Sequence, residues 1–487
     1  INTSDTTQVV KFRLRRATDS MDALDFNIIM SPKDEWVGNI DDGTGTITVT
    51  TDDLSCTAPL EPYYTAGAYP MPALYSAGAE EGYIEIIAMG EQATGALAAA
   101  ATHTVAGTPL NCGAVESNFF RVATTAPLTT NATTALQNGI LASALSHQTC
   151  TDDVSAALNG PADQGCVINN TPNIPNAIAP SGNVLKVAYH IRDAASGIEF
   201  GGNAVHLADF SANAMMSNQA SQIVGSPDLY GYFFPGLDGG SPAEPATRGT
   251  YDGVRTVLGA DSVINDWSVA AARNVSTDWV VTLPGQYTML SLGDYTTSLF
   301  DPTKPCLTEG AAAAVVPVPP ATQPTGCDYR DIPVVVEPID IWDREEKTFV
   351  NPQGGLVISP DVSGRPAATV FPNEVNVVEW TAGQNAPVLD SAVAQQFDTS
   401  ALGSEFGWAE LSVASDTTPG KKIGIYNWGP ASAGTVSGPI ANTAFDPVGE
   451  TSVPVIGFVA WERSFPQNPD GNYGRLVDHS YGNIVSS

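Results

Sequence analysis

The chain is poor in positive charge. Its 487 residues include 20 Lys and Arg against 52 Asp and Glu, which gives a formal charge of −32. Proteins that bind nucleic acid or anionic lipid need clustered Lys and Arg. We therefore expect neither as a partner. No run of about 18 apolar residues occurs, so we also expect no transmembrane helix.

Several motifs that identify enzymes are absent. The five histidines show neither HxH nor HExxH spacing, no cysteine pair forms CxxC, and no GxSxG elbow occurs. A zinc site, a thiol redox centre and a Ser-His-Asp hydrolase therefore have no support in the sequence. His479 follows Asp478, but adjacency in sequence does not make a triad. We assign no catalytic residue.

Carboxylates are abundant enough that some pair will lie within the roughly 5–10 Å that glycoside hydrolysis requires. In Asp278-Trp279, Trp342-Asp343 and Glu379-Trp380 an acid adjoins a tryptophan. Sugar sites have this composition, and so do ordinary sandwich strands with one polar face. A secreted glycoside hydrolase is thus the weakest of the functions that we consider.

The even number of cysteines, dispersed along an acidic chain, indicates disulfides in an oxidising compartment. Fifteen connectivities are possible, and six free thiols in a cytosolic protein are the alternative. Pairing of nearest neighbours predicts Cys56–Cys112, Cys150–Cys166 and Cys306–Cys327. The chain begins at Ile1 with no signal peptide, and we expect any such segment to be already removed. The predicted disulfides favour a protein that is secreted, extracellular or at the cell surface.

Hydrophobic periodicity predicts a mainly β protein. Residues 8–16 alternate between apolar and basic side chains, 46–51 are β-branched, and 375–380 and 453–461 are rich in β-branched and aromatic residues. We expect one or more antiparallel β-sandwich domains, Ig-like or jelly-roll.

A few short helices are predicted for the middle of the chain, at 91–106, 133–147 and 206–222. Composition suggests three consecutive domains: an N-terminal β-sandwich (1–125), a mixed segment with short helices and long loops (126–265), and a C-terminal β-rich domain (266–487).

Acidic turns are the candidate calcium ligands. Ca²⁺ prefers several oxygen ligands on a flexible loop. Asp41, Asp42, Asp52 and Asp53 meet that description, although none lies in an EF-hand pattern, and Asp and Gly also form turns without metal. A possible Ca²⁺ ion is the one cofactor that we consider.

Two further features suggest contact surfaces. Lys11, Arg13, Arg15 and Arg16 would give strand 8–16 a basic face, which could dock on an acidic copy of the chain or be solvated. Aromatic residues in Gly- and Pro-rich or turn segments could bind a polysaccharide or a hydrophobic surface. The main candidates are Tyr230, Tyr232, Phe233 and Phe234; further ones are Tyr63, Tyr64, Trp428 and Trp461.

A family resemblance rests on several segments, among them LDFNIIMSPKDEW (24–36), EGYIEIIAMG (81–90) and VPVIGFVAW (453–461). On these the chain resembles a family of uncharacterised exported proteins of marine gammaproteobacteria. The resemblance implies export and a surface or matrix component, and it brings no catalytic residues. Family members have a further strand-like segment upstream, so we expect residues to precede Ile1.

The leading functional expectation is an extracellular structural protein, a self-assembling subunit of a filament, sheath or surface layer whose partners are copies of itself. The alternative is a secreted module that binds polysaccharide or a hydrophobic surface.

Overall fold

We describe a computed structural model of the chain. The structure describes residues 1–17, 22–43, 45–58, 67–71, 76, 78–113, 115, 166–168, 179–193, 196–208, 214–216, 257–284, 300–301, 327–328, 334–336, 339–349, 364–366, 369–371, 373–383, 387–413, 453–468 and 471–482.

The described part of the chain is mainly β, as predicted, and most of its strand pairs are antiparallel. The first strands are β1 (Thr7–Arg16), β2 (Asp22–Met30), β3 (Asn39–Asp41), β4 (Thr48–Thr50), β5 (Cys56–Ala58), β6 (Ala68–Pro70), β7 (Gly82–Gln92), β8 (Cys166–Ile168), β9 (Ala188–Asp193), β10 (Ile198–Asn203), β11 (Ala214–Met216), β12 (Gly259–Ala260) and β13 (Ser262–Ser268).

The remaining strands are β14 (Val275–Thr282), β15 (Phe300–Asp301), β16 (Cys327–Asp328), β17 (Val334–Val336), β18 (Ile339–Asp343), β19 (Thr369–Phe371), β20 (Val375–Thr381), β21 (Ala394–Asp398), β22 (Phe406–Ser412), β23 (Val453–Pro454), β24 (Ile456–Arg463), β25 (Tyr473–Asp478) and β26 (Ser480–Gly482). The short helix α1 spans Ala96–Ala101, and 3-10 turns occupy Ala271–Arg273 and Ser400–Leu402.

Two compact units make up the fold, and each combines segments that are distant in the sequence. Unit 1 contains Ile1–Val187, His206–Val254 and Leu292–Arg330. Unit 2 contains Ala188–Val205, Arg255–Ser291 and Asp331–Ser487. The three consecutive domains expected from composition stay a prediction.

Unit 1 is built around β1, in a sheet of order β5-β2-β1-β7. β1 is antiparallel to both neighbours, so both of its backbone edges are occupied. Phe12 of β1 stacks on Phe26 of β2 at 4.9 Å, and Phe26 stacks on Tyr69 of β6 at 4.2 Å. Because Tyr69 belongs to the three-stranded sheet β3-β4-β6, the two sheets share one aromatic core.

Unit 2 is a β-sandwich. A five-stranded sheet, β21-β20-β14-β24-β25, packs against a four-stranded sheet, β18-β22-β13-β26. Between them Trp380 lies 5.8 Å from Trp267 and 5.0 Å from Trp279, all three nearly inaccessible to solvent. Each buried ring removes about 200 Å² from water, worth roughly 5 kcal/mol before conformational entropy is counted.

The hairpin β9–β10 covers the other face of the five-stranded sheet. Its side chains Ile198 and Phe200 are buried against Ala460 of β24 and pack on Leu476 of β25. Period-2 alternation explains this arrangement, since successive residues of β14 and β24 point alternately into the sandwich core and under the hairpin.

The helix predictions met mixed outcomes. The Ala-rich stretch 91–106 does contain a helix, but only Ala96–Ala101 is helical, after Gly95. The helix expected at 206–222 is wrong where the structure describes it, because Ala214–Met216 pairs with Cys166–Ile168 as strands. Residues 133–147 lie outside the described residues.

Candidate functional site

A cleft at one end of the unit 2 sandwich combines aromatic rings with arginines. We call it the aromatic cleft and define it by Asp266, Arg344, Phe406, Trp408, Trp461 and Arg475. Its volume is about 130 Å³. This is smaller than the roughly 300–1,000 Å³ of sites that enclose a small molecule. The cleft therefore suits a ligand that lies across the surface and inserts one group.

Strand register places one wall of the cleft. Asp266, Trp408 and Trp342 are directly paired across β13, β22 and β18, so their side chains share the outer face of the four-stranded sheet. The two indoles stack at 4.0 Å. Trp342 thus covers one side of Trp408, while the neighbour on the other side is the exposed Asp266.

A glycine allows this wall to pack closely on the core. A side chain at Gly407 would overlap the carbonyl oxygen of Trp342 and meet the indole of Trp267. Only a residue without Cβ fits between the inward Trp267 and the neighbouring strand. The close packing at Gly407 therefore fixes the position of the neighbouring Trp408 side chain in the cleft.

The opposite wall comes from the five-stranded sheet. Trp461 of β24 donates its indole N–H to Ser268 Oγ at 3.2 Å, which fixes the ring plane. Arg475 is its directly paired neighbour on β25, and the guanidinium carbon lies 4.9 Å from the Trp461 ring centroid. Tyr473 flanks the same ring at 5.7 Å.

Arginines give this cleft a positive character in a strongly acidic chain. The guanidinium carbons of Arg344 and Arg273 lie 4.7 Å and 5.4 Å from the Phe406 centroid. Arg273 also forms an ion pair with Glu405 at 3.8 Å. Within the described ranges, no carboxylate pairs with Arg344 or Arg475. Both keep their N–H groups available for an anion.

A second polar cluster, under the β9–β10 hairpin, contains two neighbouring carboxyl groups. Asp278 and Glu379 are directly paired on β14 and β20. Asp278 Oδ2 accepts the backbone N–H groups of Val388 and Leu389, each at 2.8 Å. Burial raises the pKa of Asp278 to about 7, and the charge of Glu379 adds to this, although the two amide bonds oppose it.

This cluster holds a loop in place and does not resemble a glycosidase site. Asp278 is 1% exposed, and its hydrogen bonds anchor the chain at 388–389. Each acid also faces away from its adjacent tryptophan, since Trp279 and Trp380 point into the core. In Asp278-Trp279 and Glu379-Trp380 the acid and the indole therefore do not line one site, because neighbours in a strand lie on opposite faces.

His479 has a structural role in unit 2. Its Nε2 contacts the Val280 carbonyl at 3.0 Å, and its Nδ1 contacts Asn265 Nδ2 at 3.2 Å. Burial lowers the pKa of His479 to about 4, so the ring is neutral at neutral pH, donating from Nε2 and accepting at Nδ1. No serine contacts it among the hydrogen bonds of the described residues.

Unit 1 contains a Ser-His-Asp cluster that the sequence analysis missed. Ser31 Oγ lies 2.9 Å from His103 Nδ1, and Asp34 Oδ2 lies 3.6 Å from the same nitrogen. A catalytic triad needs the serine and the acid at opposite ring nitrogens. Asp34 also accepts the Ser31 backbone N–H at 2.8 Å, so we interpret the cluster as a turn tied to a distant histidine.

The candidate calcium ligands are exposed or half-exposed turn residues. Asp41 accepts the Gly43 amide, and Asp53 accepts the Ser55 amide at 2.8 Å. In the part of the chain that the structure describes, no three His, Cys, Asp or Glu side chains are grouped to hold a metal ion. Calcium binding by Asp41, Asp42, Asp52 and Asp53 stays a prediction, and turn formation accounts for two of these residues.

The basic side chains of β1 lie inside unit 1, where the sequence analysis expected an exposed face. Lys11, Arg13, Arg15 and Arg16 are at most 2% exposed. Arg15 Nε lies 2.8 Å and Arg13 Nη1 3.4 Å from the buried Glu85. Alternation identified a strand with one basic face, but it does not show whether tertiary structure covers that face. The role of these four basic residues as a subunit contact stays a prediction.

The structure describes only some of the other predicted site residues. The Cys56–Cys112 disulfide forms as predicted. Cys166 and Cys327 lie in β8 and β16. Outside the described residues lie Cys150, Cys306, Tyr63, Tyr64, Tyr230, Tyr232, Phe233, Phe234 and Trp428.

Among the predicted aromatic contacts that the structure describes, Trp461 lies in the cleft. The other residues of the cleft were not predicted as site residues; they include Phe406, Trp408, Arg344 and Arg475.

Among the described residues, no helix has the length and apolarity needed to cross a membrane. No protein-family model, curated protein or solved structure matches the chain. The resemblance to exported proteins stays a prediction.

Proposed function

We propose that this protein is an extracellular polysaccharide-binding protein and that the aromatic cleft is its binding site. The observation that carries the proposal is the convergence of Trp408 and Trp461, both half-buried, on one small surface cleft. Aromatic rings offer a large apolar area at low conformational cost and keep a polar edge toward water. A sugar ring, which has apolar faces and polar edges, complements them.

The rigidity of the cleft supports binding rather than packing alone. The Trp461 indole is held by Ser268, and the Trp408 indole is stacked on Trp342. Rings that are already fixed lose little entropy when a ligand arrives, which favours affinity. The small volume suits one unit of a longer chain.

An extracellular location is consistent with the disulfide between Cys56 and Cys112, since such bonds persist in oxidising compartments.

We rank polysaccharide binding above self-assembly through β1. That assembly needed either a free edge of β1 or an exposed basic face. Both edges of β1 are occupied by β2 and β7, and Lys11 and Arg13 are buried. Assembly of copies into a filament or surface layer through another surface stays a prediction.

The test is a polysaccharide panel with the full chain, using affinity electrophoresis and calorimetry. We expect Trp408→Ala and Trp461→Ala to lower affinity for the bound polysaccharide roughly 10-fold or more, as for contact residues at interface centres. Tyr189→Ala is the matched control, because this half-buried tyrosine of unit 2 contacts Phe458 outside the cleft. Circular dichroism checks that each variant folds.

Two results would count against the proposal. One is no binding to any polysaccharide in the panel. The other is binding that Trp408→Ala and Trp461→Ala leave unchanged in folded protein. Light scattering on the same samples shows whether copies associate instead, which would restore self-assembly as the leading function.

A further inference from the structure

Two arginines in the aromatic cleft stand out against the composition of the chain. The chain has 52 Asp and Glu against 20 Lys and Arg, so carboxylates that could form an ion pair with a surface arginine are abundant. Arg192, for example, lies 3.4 Å from Glu199, and Arg273 lies 3.8 Å from Glu405. Across the described residues, Arg344 and Arg475 have no such carboxylate, although both line the cleft.

Ring stacking holds both guanidinium groups ready for an anion. Arg475 lies over Trp461, and Arg344 lies over Phe406. A guanidinium on an aromatic face keeps its N–H groups directed outward in its own plane, where they match a carboxylate or sulfate. Stacking also reduces the flexibility that an exposed arginine would otherwise lose on binding.

We infer that the aromatic cleft binds an acidic polysaccharide, in which a sugar carrying a carboxylate or sulfate group lies against Trp408 and Trp461 and its anionic group accepts hydrogen bonds from Arg344 and Arg475. This inference rests on the proposed function and specifies its ligand class.

Asp266 explains why we favour a glycan over a nucleic acid. Its exposed carboxylate lines the same cleft beside Trp408 and can accept sugar hydroxyl groups. A single-stranded nucleic acid would also stack on aromatic rings, but it carries a phosphate at every nucleotide. Repulsion by Asp266 and by the charge of −32 disfavours that dense series of anions.

The test uses matched polymers that share a backbone and differ in the number of widely spaced anionic groups. One set is dextran, carboxymethyl-dextran and dextran sulfate, the last two at low substitution. The other is polygalacturonate with most of its carboxylates methyl-esterified and its fully methyl-esterified form. We expect the intact protein to bind the charged member of at least one set roughly 10-fold or more tighter than the neutral member, since a hydrogen bond to a charged group is worth about 1.5–3 kcal/mol. A thymidine oligonucleotide should bind more weakly than that polymer.

Arginine variants assign the preference to the cleft. Arg344→Gln and Arg475→Gln should each remove most of the preference for the charged polymer, while Arg475→Lys should restore only part of it. Arg192→Gln is the control, because it removes an exposed arginine of the same unit outside the cleft. Higher salt should weaken wild-type binding more than binding by the double Arg344→Gln, Arg475→Gln variant.

The outcomes separate this inference from the proposed function. If neutral and charged polymers bind equally and Trp461→Ala weakens both, polysaccharide binding stands and the acidic preference is overturned. Loss of binding in Arg192→Gln to the same extent as in Arg475→Gln would indicate general charge attraction and overturn it too. If the thymidine oligonucleotide binds as tightly as the charged polymer, the inferred preference for an acidic polysaccharide is also overturned. If no polymer of the wider panel binds, both proposals fail.

Discussion

Replacing Asp278 with asparagine removes a buried carboxyl group whose pKa is raised from 3.8 to about 7, chiefly by burial. The folded protein keeps a proton on Asp278 at pH values where the unfolded chain releases it. The stability contributed by this group is therefore fully present below pH 3.8 and is lost as the pH rises through about 7. The full pKa difference corresponds to about 4 kcal/mol in the free energy of unfolding. The part that is lost between pH 5 and pH 7 corresponds to about 3 kcal/mol.

Asparagine is a suitable substitute because its amide oxygen can still accept the N–H groups of Val388 and Leu389. Only the proton-linked part of the stability should change. We expect the free energy of unfolding of Asp278→Asn, relative to wild type, to rise by about 3 kcal/mol between pH 5 and pH 8. Urea unfolding at several pH values, followed by tryptophan fluorescence, measures this, since Trp279 and Trp380 lie in the core of unit 2.

His479 provides an internal check of opposite sign. Its pKa is lowered from 6.5 to about 4 by burial, so its stability contribution is present above pH 6.5 and is lost as the pH falls through about 4. The free energy of unfolding of His479→Gln, relative to wild type, should therefore rise by about 2 kcal/mol as the pH falls from 6.5 to 5. Asp398→Asn is the control, because Asp398 also accepts a backbone amide but is exposed.

Asp278→Asn and His479→Gln curves that both ran parallel to wild type would refute these two assignments. Slopes of the same sign for the two variants would also contradict them, since burial must act oppositely on an acid and a base.

Three further predictions concern folding. Replacing Cys56 and Cys112 with serine should lower the free energy of unfolding by about 4 kcal/mol, because the bond closes a loop across 56 residues; denaturant unfolding with intact and reduced wild type measures it. Glu85→Gln should lower the free energy of unfolding by about 3–5 kcal/mol, since it removes the carboxylate that lies 2.8 Å from the buried Arg15 Nε; a glutamine variant of the exposed Glu80 is the control. Gly407→Ala should lower the thermal midpoint and also weaken polysaccharide binding, because its Cβ would displace the Trp408 strand; unchanged binding would contradict its positioning role.

Much of the β architecture could be predicted from local pattern. Residues 8–16 and 375–380 form strands as predicted, since alternation and β-branched side chains report directly on a pleated backbone. The predicted helix at 206–222 failed at 214–216, because a three-residue strand depends on its partner at 166–168 and not on local propensity.

The aromatic cleft could not be predicted, because register assembles it. Arg475 meets Trp461 only because β25 pairs with β24, and Trp408 meets Asp266 only because β22 pairs with β13. Neither pairing leaves a signal in the spacing of these residues. Asp278-Trp279 and Glu379-Trp380 gave a misleading signal, because successive residues of a strand point to opposite faces of the sheet.

The charge composition of the chain and the geometry of the aromatic cleft together indicate its ligand. In a chain with balanced charge, two arginines over aromatic rings would be ordinary surface packing, worth about 1 kcal/mol each. In this chain, acids outnumber bases by 52 to 20, so the field of the protein itself draws positive side chains toward carboxylates. Arg344 and Arg475 instead stand on rings beside the one exposed acid of the cleft, Asp266. Such an arrangement favours a ligand that brings its own, widely spaced negative charge.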